Sequence, residues 1–259
     1  IQNLISYANS SLHAEQKDSF KERYFRSAIH RLVEHVTELF AEYKFNLALV
    51  EMRLFFEELE KFNAHVSFET RREVFATLLK LFTPYIPHTC EELWEELGYE
   101  PFISLASWPT SDATKIDETA EREHKVLLEV MGKINRLRQS KHIESPQQIT
   151  LVQASPQRYA LFDCLEELLA ETRDFKSILQ SLQEDGRFDA DMKFIKKFVP
   201  KTLKDGLIMY VGQQREQALL TEIQSYLVYV YGCSVTIKGV DEIEENVQSI
   251  PGEPGVLIS

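Results

Sequence analysis

The side chains able to do chemistry in this chain are cationic, and they fall into two groups. Lys193, Lys196 and Lys197 share one side of a helical repeat whose other side is Phe194, Ile195, Phe198 and Val199, and Lys201 and Lys204 follow Pro200. A row of ammonium groups on a helix neutralises phosphates and releases their counterions, so this group is a candidate for contacts to a polyanion backbone. A solvated lysine face gives the same pattern and is its commoner meaning. The second group closes an apolar stripe. Leu127, Val130, Met131, Ile134 and Leu137 recur at helical spacing, then Arg138 stands four residues after Ile134 and Lys141 four after Leu137, with Arg136 beside them. Cations at a helix C-terminus gain about 0.3–1 kcal/mol from the helix dipole. Capping and contact with an anionic partner are therefore both open for Arg136, Arg138 and Lys141.

Other chemistries find no support. The three cysteines, Cys90, Cys164 and Cys233, lie far apart with no C-x-x-C pair, and His30 and His35 are five residues apart, which does not align two ligands on a helix face. No metal site, no glycine-rich phosphate loop and no acid/base pair is indicated, so no catalytic residue is assigned. Cysteine usage fits a reducing, cytoplasmic compartment. No apolar run approaches the ~20 residues needed to span a bilayer, and the start, IQNLISYANSS, lacks the pattern of a secretory leader. The missing initiator Met suits a piece of a longer chain. With 29 basic and 41 acidic residues the net charge is −12, of which residues 1–143 contribute −5 and residues 144–259 contribute −7. RNA, if bound, must be held by local basic patches with little help from the overall field.

The elements that position these groups change character near residue 145. From about Lys17, Phe20, Tyr24, Ala28, Leu32, Val36 and Phe40 recur every four residues; Phe45, Leu49, Met52, Phe56 and Leu59 follow, then Val74, Phe75, Leu78, Leu79 and Phe82. Three such helices with short connections predict an antiparallel bundle. Thr83-Pro84 reads as a cap and first-turn proline, Pro87 as a restart or bend, and Gly98 as a left-handed stop. Tyr99 to Asp117 is a loop, and a helix runs from Asp117 to about His142. Beyond Pro146 the pattern predicts a strand at Gln148–Gln153, a helix from Gln157 to Leu182, and a helix from Asp189 to Lys204 that Pro200 breaks or kinks. A strand at Leu207–Val211, a helix at Glu216–Tyr231 and a strand at Cys233–Lys238 follow, then an acidic linker. The fold expected is mostly α: a helical bundle over 1–143, then a smaller α+β domain over 144–259.

The string Pro84, Pro87, His88, Glu91, Glu92, Leu93, Trp94, Leu97, Gly98, Ser104, Trp108 and Pro109 resembles the anticodon-binding domain of class I aminoacyl-tRNA synthetases of the leucyl, isoleucyl, valyl and methionyl group. These residues read as packing and caps, so they mark kinship and no chemical site. The run INRLRQSKHI resembles the last helix of that bundle, whose basic residues face tRNA. The tail PGEPGVLIS and the segment YGCSVTIKG resemble the end of archaeal and eukaryotic-type leucyl-tRNA synthetases. A cysteine-rich zinc element, expected of an isoleucyl enzyme, and a heptad coiled coil, expected of a bacterial-type valyl enzyme, are lacking.

The resemblance implies a parent enzyme that joins leucine to tRNA(Leu) with ATP. The HIGH-type and KMSKS-type motifs of its catalytic core do not occur here, so the chain alone is expected to be inactive and to take no cofactor. In the leucyl family, identity comes from the long variable arm, contacted by the C-terminal domain. That points to Gly255, Val256, Leu257, Ile258 and Ser259, through backbone groups, with Lys193, Lys196, Lys197 and Lys201 at phosphates. The implied partners are tRNA(Leu) and the catalytic and editing domains of the same chain, in a monomer. A freestanding synthetase-derived module, acting as a non-catalytic RNA- or protein-binding scaffold, is the competing reading; acidic faces and 11% aromatic residues suit it equally well.

Overall fold

The computed structural model describes residues 19–245 and 247–259, so the predicted helix start near Lys17 lies outside the described residues. The chain divides into two compact units, 1–121 and 122–259.

In the first unit, α1 (Phe20–Ala41), α2 (Phe45–Lys61) and α3 (Phe68–Phe82) pack on one another, and α4 (Pro87–Glu96) packs on α3. The deepest line of α1 is Phe25, Ile29, Leu32, Val33, Val36 and Leu39, whereas Tyr24, Ala28 and Phe40 are half-buried. A strict four-residue repeat slips around a 3.6-residue helix by about 40° per step, so its members cannot all stay on the buried face. Phe25 meets Phe55 of α2 edge-on, with ring centroids 6.0 Å apart, and Phe56 meets Phe75 of α3 at 6.1 Å. Glu22, 1% exposed, accepts from the Ser67 amide and the Thr70 hydroxyl and so neutralises the start of α3.

Several residues of the motif stretch cap or pack. Thr83 does not open a helix: its hydroxyl donates back to the Leu79 carbonyl at 2.9 Å, closing α3, and the first-turn proline of α4 is Pro87. Pro84 sits in the turn between. Gly98 (φ +75°) ends α4 with its amide on Glu95 O at 2.8 Å, while the Tyr99 amide reaches Trp94 O at 3.1 Å, the two bonds of a Schellman motif. Glu91 accepts from the Ile103 and Ser104 amides at 2.7 and 3.1 Å, and Trp94 donates to Pro101 O at 3.0 Å. Trp108 donates to Thr37 at 2.9 Å.

The division between units falls within α5 (Glu118–Lys141), ahead of the change in sequence pattern near 145. The second unit then contains β1 (Gln148–Gln153), α6 (Pro156–Glu171), α7 (Phe175–Asp185), α8 (Met192–Asp205), α9 (Gln213–Tyr231), β2 (Ser234–Gly239) and β3 (Gly255–Ile258). The sheet order is β2-β1-β3, with β1 parallel to β2 (Gln148 opposite Ser234) and antiparallel to β3 (Ile149 opposite Ile258). A core of Tyr159, Phe162, Leu165, Ile178, Leu182, Ile195 and Val199 joins α6, α7 and α8.

Three expectations are corrected. The helix predicted from Gln157 to Leu182 is two, because Thr172 is extended (φ −144°, ψ 150°) and Asp174 caps α7 by accepting from the Ser177 amide at 2.8 Å. Pro200 does not break α8; it lies on the exposed face, while Ile195, Val199 and Thr202 hold the other face buried. Leu207–Val211 is a turn between left-handed Gly206 (φ +75°) and Gly212 (φ +82°), closed by the Tyr210 amide on Leu207 O at 3.2 Å. The overall class, a mostly α chain with a small α+β part, is as the sequence predicts.

Candidate nucleic-acid interface

The lysine group stands on α8, and the apolar half of the repeat is what orients it. Ile195 and Val199 are fully buried, Phe194 and Phe198 stack with centroids 5.0 Å apart, and the Arg158 guanidinium covers Phe194 at 3.8 Å while pairing with Asp191 at 2.8 Å. Lys193, Lys196 and Lys197 are exposed, and no ion pair engages them among the described residues. Lys193, Lys197 and Lys201 fall four residues apart on the helix, about 6 Å per step along its axis, and Lys204 continues the line. Lys201 approaches Glu253 at 3.8 Å.

The cations of α5 are used differently. Arg136 pairs with Glu129 at 3.0 Å and stays largely exposed. Arg138 donates to the Ile143 carbonyl at 3.4 Å and to the Glu144 carbonyl, and lies 5.7 Å from the Tyr231 ring, so it closes the turn after the helix. Lys141 donates to Ile258 O at 3.1 Å. Lys133, which sequence reasoning passed over, donates to Pro254 O at 2.9 Å and Glu253 O at 3.2 Å, and burial pulls its ammonium pKa down. Its signal was legible: Lys133 stands three residues after Val130 and four before Leu137, on the border of the apolar stripe.

The tail turns on two glycines. Gly252 (φ +82°) donates its amide to Glu216 Oε2 at 2.7 Å, and a Cβ there would lie 2.5 Å from Met209 O; a Cβ at Gly255 would lie 2.5 Å from Val247 Cγ1. Glu216 is fully buried, and burial pushes its carboxyl up to about 7 while the Gly252 amide opposes the rise. In β3, Gly255, Val256 and Ile258 are buried, Leu257 is half-buried and Ser259 is exposed. Ser259 and Gln148 exchange amide–carbonyl bonds at 3.1 and 3.2 Å. By the antiparallel alternation, Leu257 and Gly255 also turn their backbone groups to β1, and those of Val256 and Ile258 point to the outer edge. Lys201 of α8 and Lys133 of α5 thus meet at Glu253, and Lys141 meets the strand that follows.

Among the described residues no group of three or more His, Cys, Asp or Glu could hold a metal, and no helix is long and apolar enough to cross a membrane.

Comparison with known proteins fits this architecture. Residues 22–153 match the family described as the anticodon-binding domain of tRNA ligase. The chain belongs to that family of tRNA-ligase domains. Among curated proteins it is similar to the leucine–tRNA ligases of three archaea. It is 30% identical to that of Pyrococcus horikoshii over 195 residues, 73% of this chain and 20% of the relative. It is 31% identical to that of Pyrococcus furiosus over the same shares. To leucine–tRNA ligase 2 of Metallosphaera sedula it is 36% identical over 123 residues, 43% of this chain and 13% of the relative. The chain spans about a fifth of the length of the first two relatives.

Proposed function

We propose that this chain is the tRNA-recognition part of a leucine–tRNA ligase, a cytoplasmic, monomeric enzyme that joins leucine to tRNA(Leu) with ATP. In this reading the chain itself performs no chemistry and holds no cofactor; ATP belongs to a catalytic core that, with an editing domain, lies elsewhere in the parent chain. The observation that carries the reading is the convergence of Lys201, Lys133 and Lys141 on the turn and strand at 253–258, beside the exposed Lys193, Lys196 and Lys197. The lysine row takes phosphates. The outer edge of β3, with the backbone groups of Val256 and Ile258, faces the variable arm, and Gly255, Leu257 and Ser259 hold that edge in place through β1. Arg136, exposed near the C-terminal end of α5, reaches the polyanion, and Arg138 and Lys141 shape the surface around it.

The test is filter binding of the chain to tRNA(Leu) with and without its variable arm across a salt series. Binding that needs the arm and weakens steeply with salt supports the reading. Binding indifferent to the arm removes the β3 assignment. No binding to any tRNA, with a protein captured instead, transfers the chain to the scaffold class.

A further inference from the structure

The helix α2 carries two apolar stripes, and the first unit uses one of them. The inward stripe is Ala48, Met52, Phe55, Phe56 and Leu59, all buried. Leu47, Val50 and Leu54 stand on the opposite side at intervals of three and four residues and are 54%, 42% and 48% exposed. Tyr43, exposed as well, precedes Leu47 by another four. Intervals of three and four are the seam spacing by which one helix receives another. Exposed apolar side chains scattered singly need no explanation. Here six of the fifteen large ones exposed among the described residues fall between Tyr43 and Leu54, which makes a patch. Beside it runs an open groove between α1 and α2, lined by Ala28, Leu32 and Phe55, with Leu54, Glu51 and Glu58 along the α2 side.

The charge around the stripe and groove is acidic. From Arg31 to Lys61 the sequence carries four cations against seven glutamates, net −3. Three of those cations are already held by carboxylates: Arg31 by Glu121 at 2.8 Å, Lys44 by Glu42 at 2.5 Å and Arg53 by Glu57 at 2.8 Å. No ion pair engages Glu38 or Glu51 among the described residues. An RNA backbone would be repelled by this surface, and a second copy would set one acidic rim against another. An apolar seam bordered by carboxylates complements an amphipathic helix whose own seam is bordered by lysine or arginine. The position of the stripe selects the source of that helix. Described chain begins this unit at α1, and the unit's last residue, Glu121, accepts from Ser27 and pairs with Arg31, no further than the middle of α1. Tyr43 and Leu47 lie past the other end of α1, about 15 Å of helix beyond Arg31. A segment of the same chain would have to return over the unit to reach them, whereas a separate protein needs no such path.

We propose that the outer face of α2 is a docking surface for a basic amphipathic helix of a separate protein, an inference independent of the tRNA reading.

The probe is a synthetic helix of about five turns with leucine at the seam positions and lysine elsewhere, titrated into the whole chain with leucine- and valine-methyl NMR. Its controls are the same residues ordered so that the leucines surround the helix, and a copy with glutamate in place of lysine. The seam peptide should shift the Leu47, Val50 and Leu54 methyls before those of buried Leu59, and bind more tightly than either control. Leu47→Ser and Leu54→Ser should each weaken it by roughly 4- to 12-fold, the loss of half-burying one leucine, with an unchanged denaturation midpoint because both side chains are exposed. Glu38→Gln with Glu51→Gln should weaken binding at low salt and flatten its salt dependence. Peptides that bind without discrimination, or an affinity that the leucine substitutions leave as in the wild type, overturn the inference and leave the tRNA reading untouched. A loss of tRNA binding in Leu47→Ser gives the face to RNA, and self-association of the chain that Leu47→Ser abolishes gives it to a second copy; either result overturns the proposal. So does a longer parent chain that no longer takes the peptide, because a segment of its own then covers the stripe.

Discussion

Glu216 offers the sharpest stability prediction. Its carboxyl is fully buried beside the Tyr159 hydroxyl, accepts from the Gly252 amide and is pushed from the usual 4.5 up to about 7. A folded-state pKa above the unfolded one means that the native state binds the extra proton, so stability falls as pH rises from about 4.5 through 7 and levels off above. At 1.36 kcal/mol per pH unit, that rise corresponds to about 3 kcal/mol lost between pH 5 and pH 8. Glu216→Gln keeps a carbonyl oxygen for Gly252 and removes the titration. The variant should therefore gain on the wild type steadily with pH and exceed it by about 3 kcal/mol at pH 8. The assay is urea denaturation at pH 5 to 8 followed by far-UV circular dichroism. Trp94 and Trp108 both lie in the first unit, so their fluorescence gives that unit's transition separately. Parallel pH profiles for wild type and variant in the second unit's transition would refute the reasoning.

Three other outcomes follow from the geometry. Gly252→Ala should destabilise the second unit by more than the ~1–2 kcal/mol of a left-handed Cβ alone, because the methyl meets the Met209 carbonyl at 2.5 Å; thermal unfolding measures it. Lys133→Ala should speed amide exchange in residues 253–258, as the carbonyls of Glu253 and Pro254 lose their donor, while leaving the salt dependence of RNA binding unchanged. Lys196→Ala with Lys197→Ala should do the reverse: weaker binding to every tRNA with a shallower salt slope in filter binding, and an unchanged denaturation midpoint.

The helices were legible where one period ran long. α1, α2, α3, α5 and α9 carry apolar stripes of several turns, and β1 and β2 alternate plainly. The failures are local competitions that periodicity does not see. Thr83 could cap forward or bond backward, and its hydroxyl went to Leu79. Thr172 and Asp174 split a leucine-rich run because an extended threonine and an Asx cap outweigh the apolar repeat. The apolar string Leu207–Val211 looked like a strand, but the flanking glycines turned it and Tyr210 went into the core. For the candidate site, the lysine face of α8 was readable because its charged and apolar sides separate cleanly. The duties of Lys133, Lys141 and Lys201 were hidden, since each reaches partners 52 to 121 residues away: Glu253 for Lys201, Glu253 and Pro254 for Lys133, and Ile258 for Lys141. β3 was hidden for the same reason, as PGEPG advertises a turn and four residues give too little alternation to announce a strand.

The sheet topology carries a kinetic consequence. β1 is central, yet its parallel partner stands 86 residues further along the chain, as Thr150 and Thr236 show, and its antiparallel partner lies beyond that. The helices α6 to α9 close local contacts and can form in the interval, whereas β1 must wait with both edges open until the distant strands arrive. Sheet closure is therefore the late step of folding in this unit. A nascent or partly unfolded chain shows an unpaired ITLV segment to any neighbour, and the place where β3 docks is where misassembly between copies would begin.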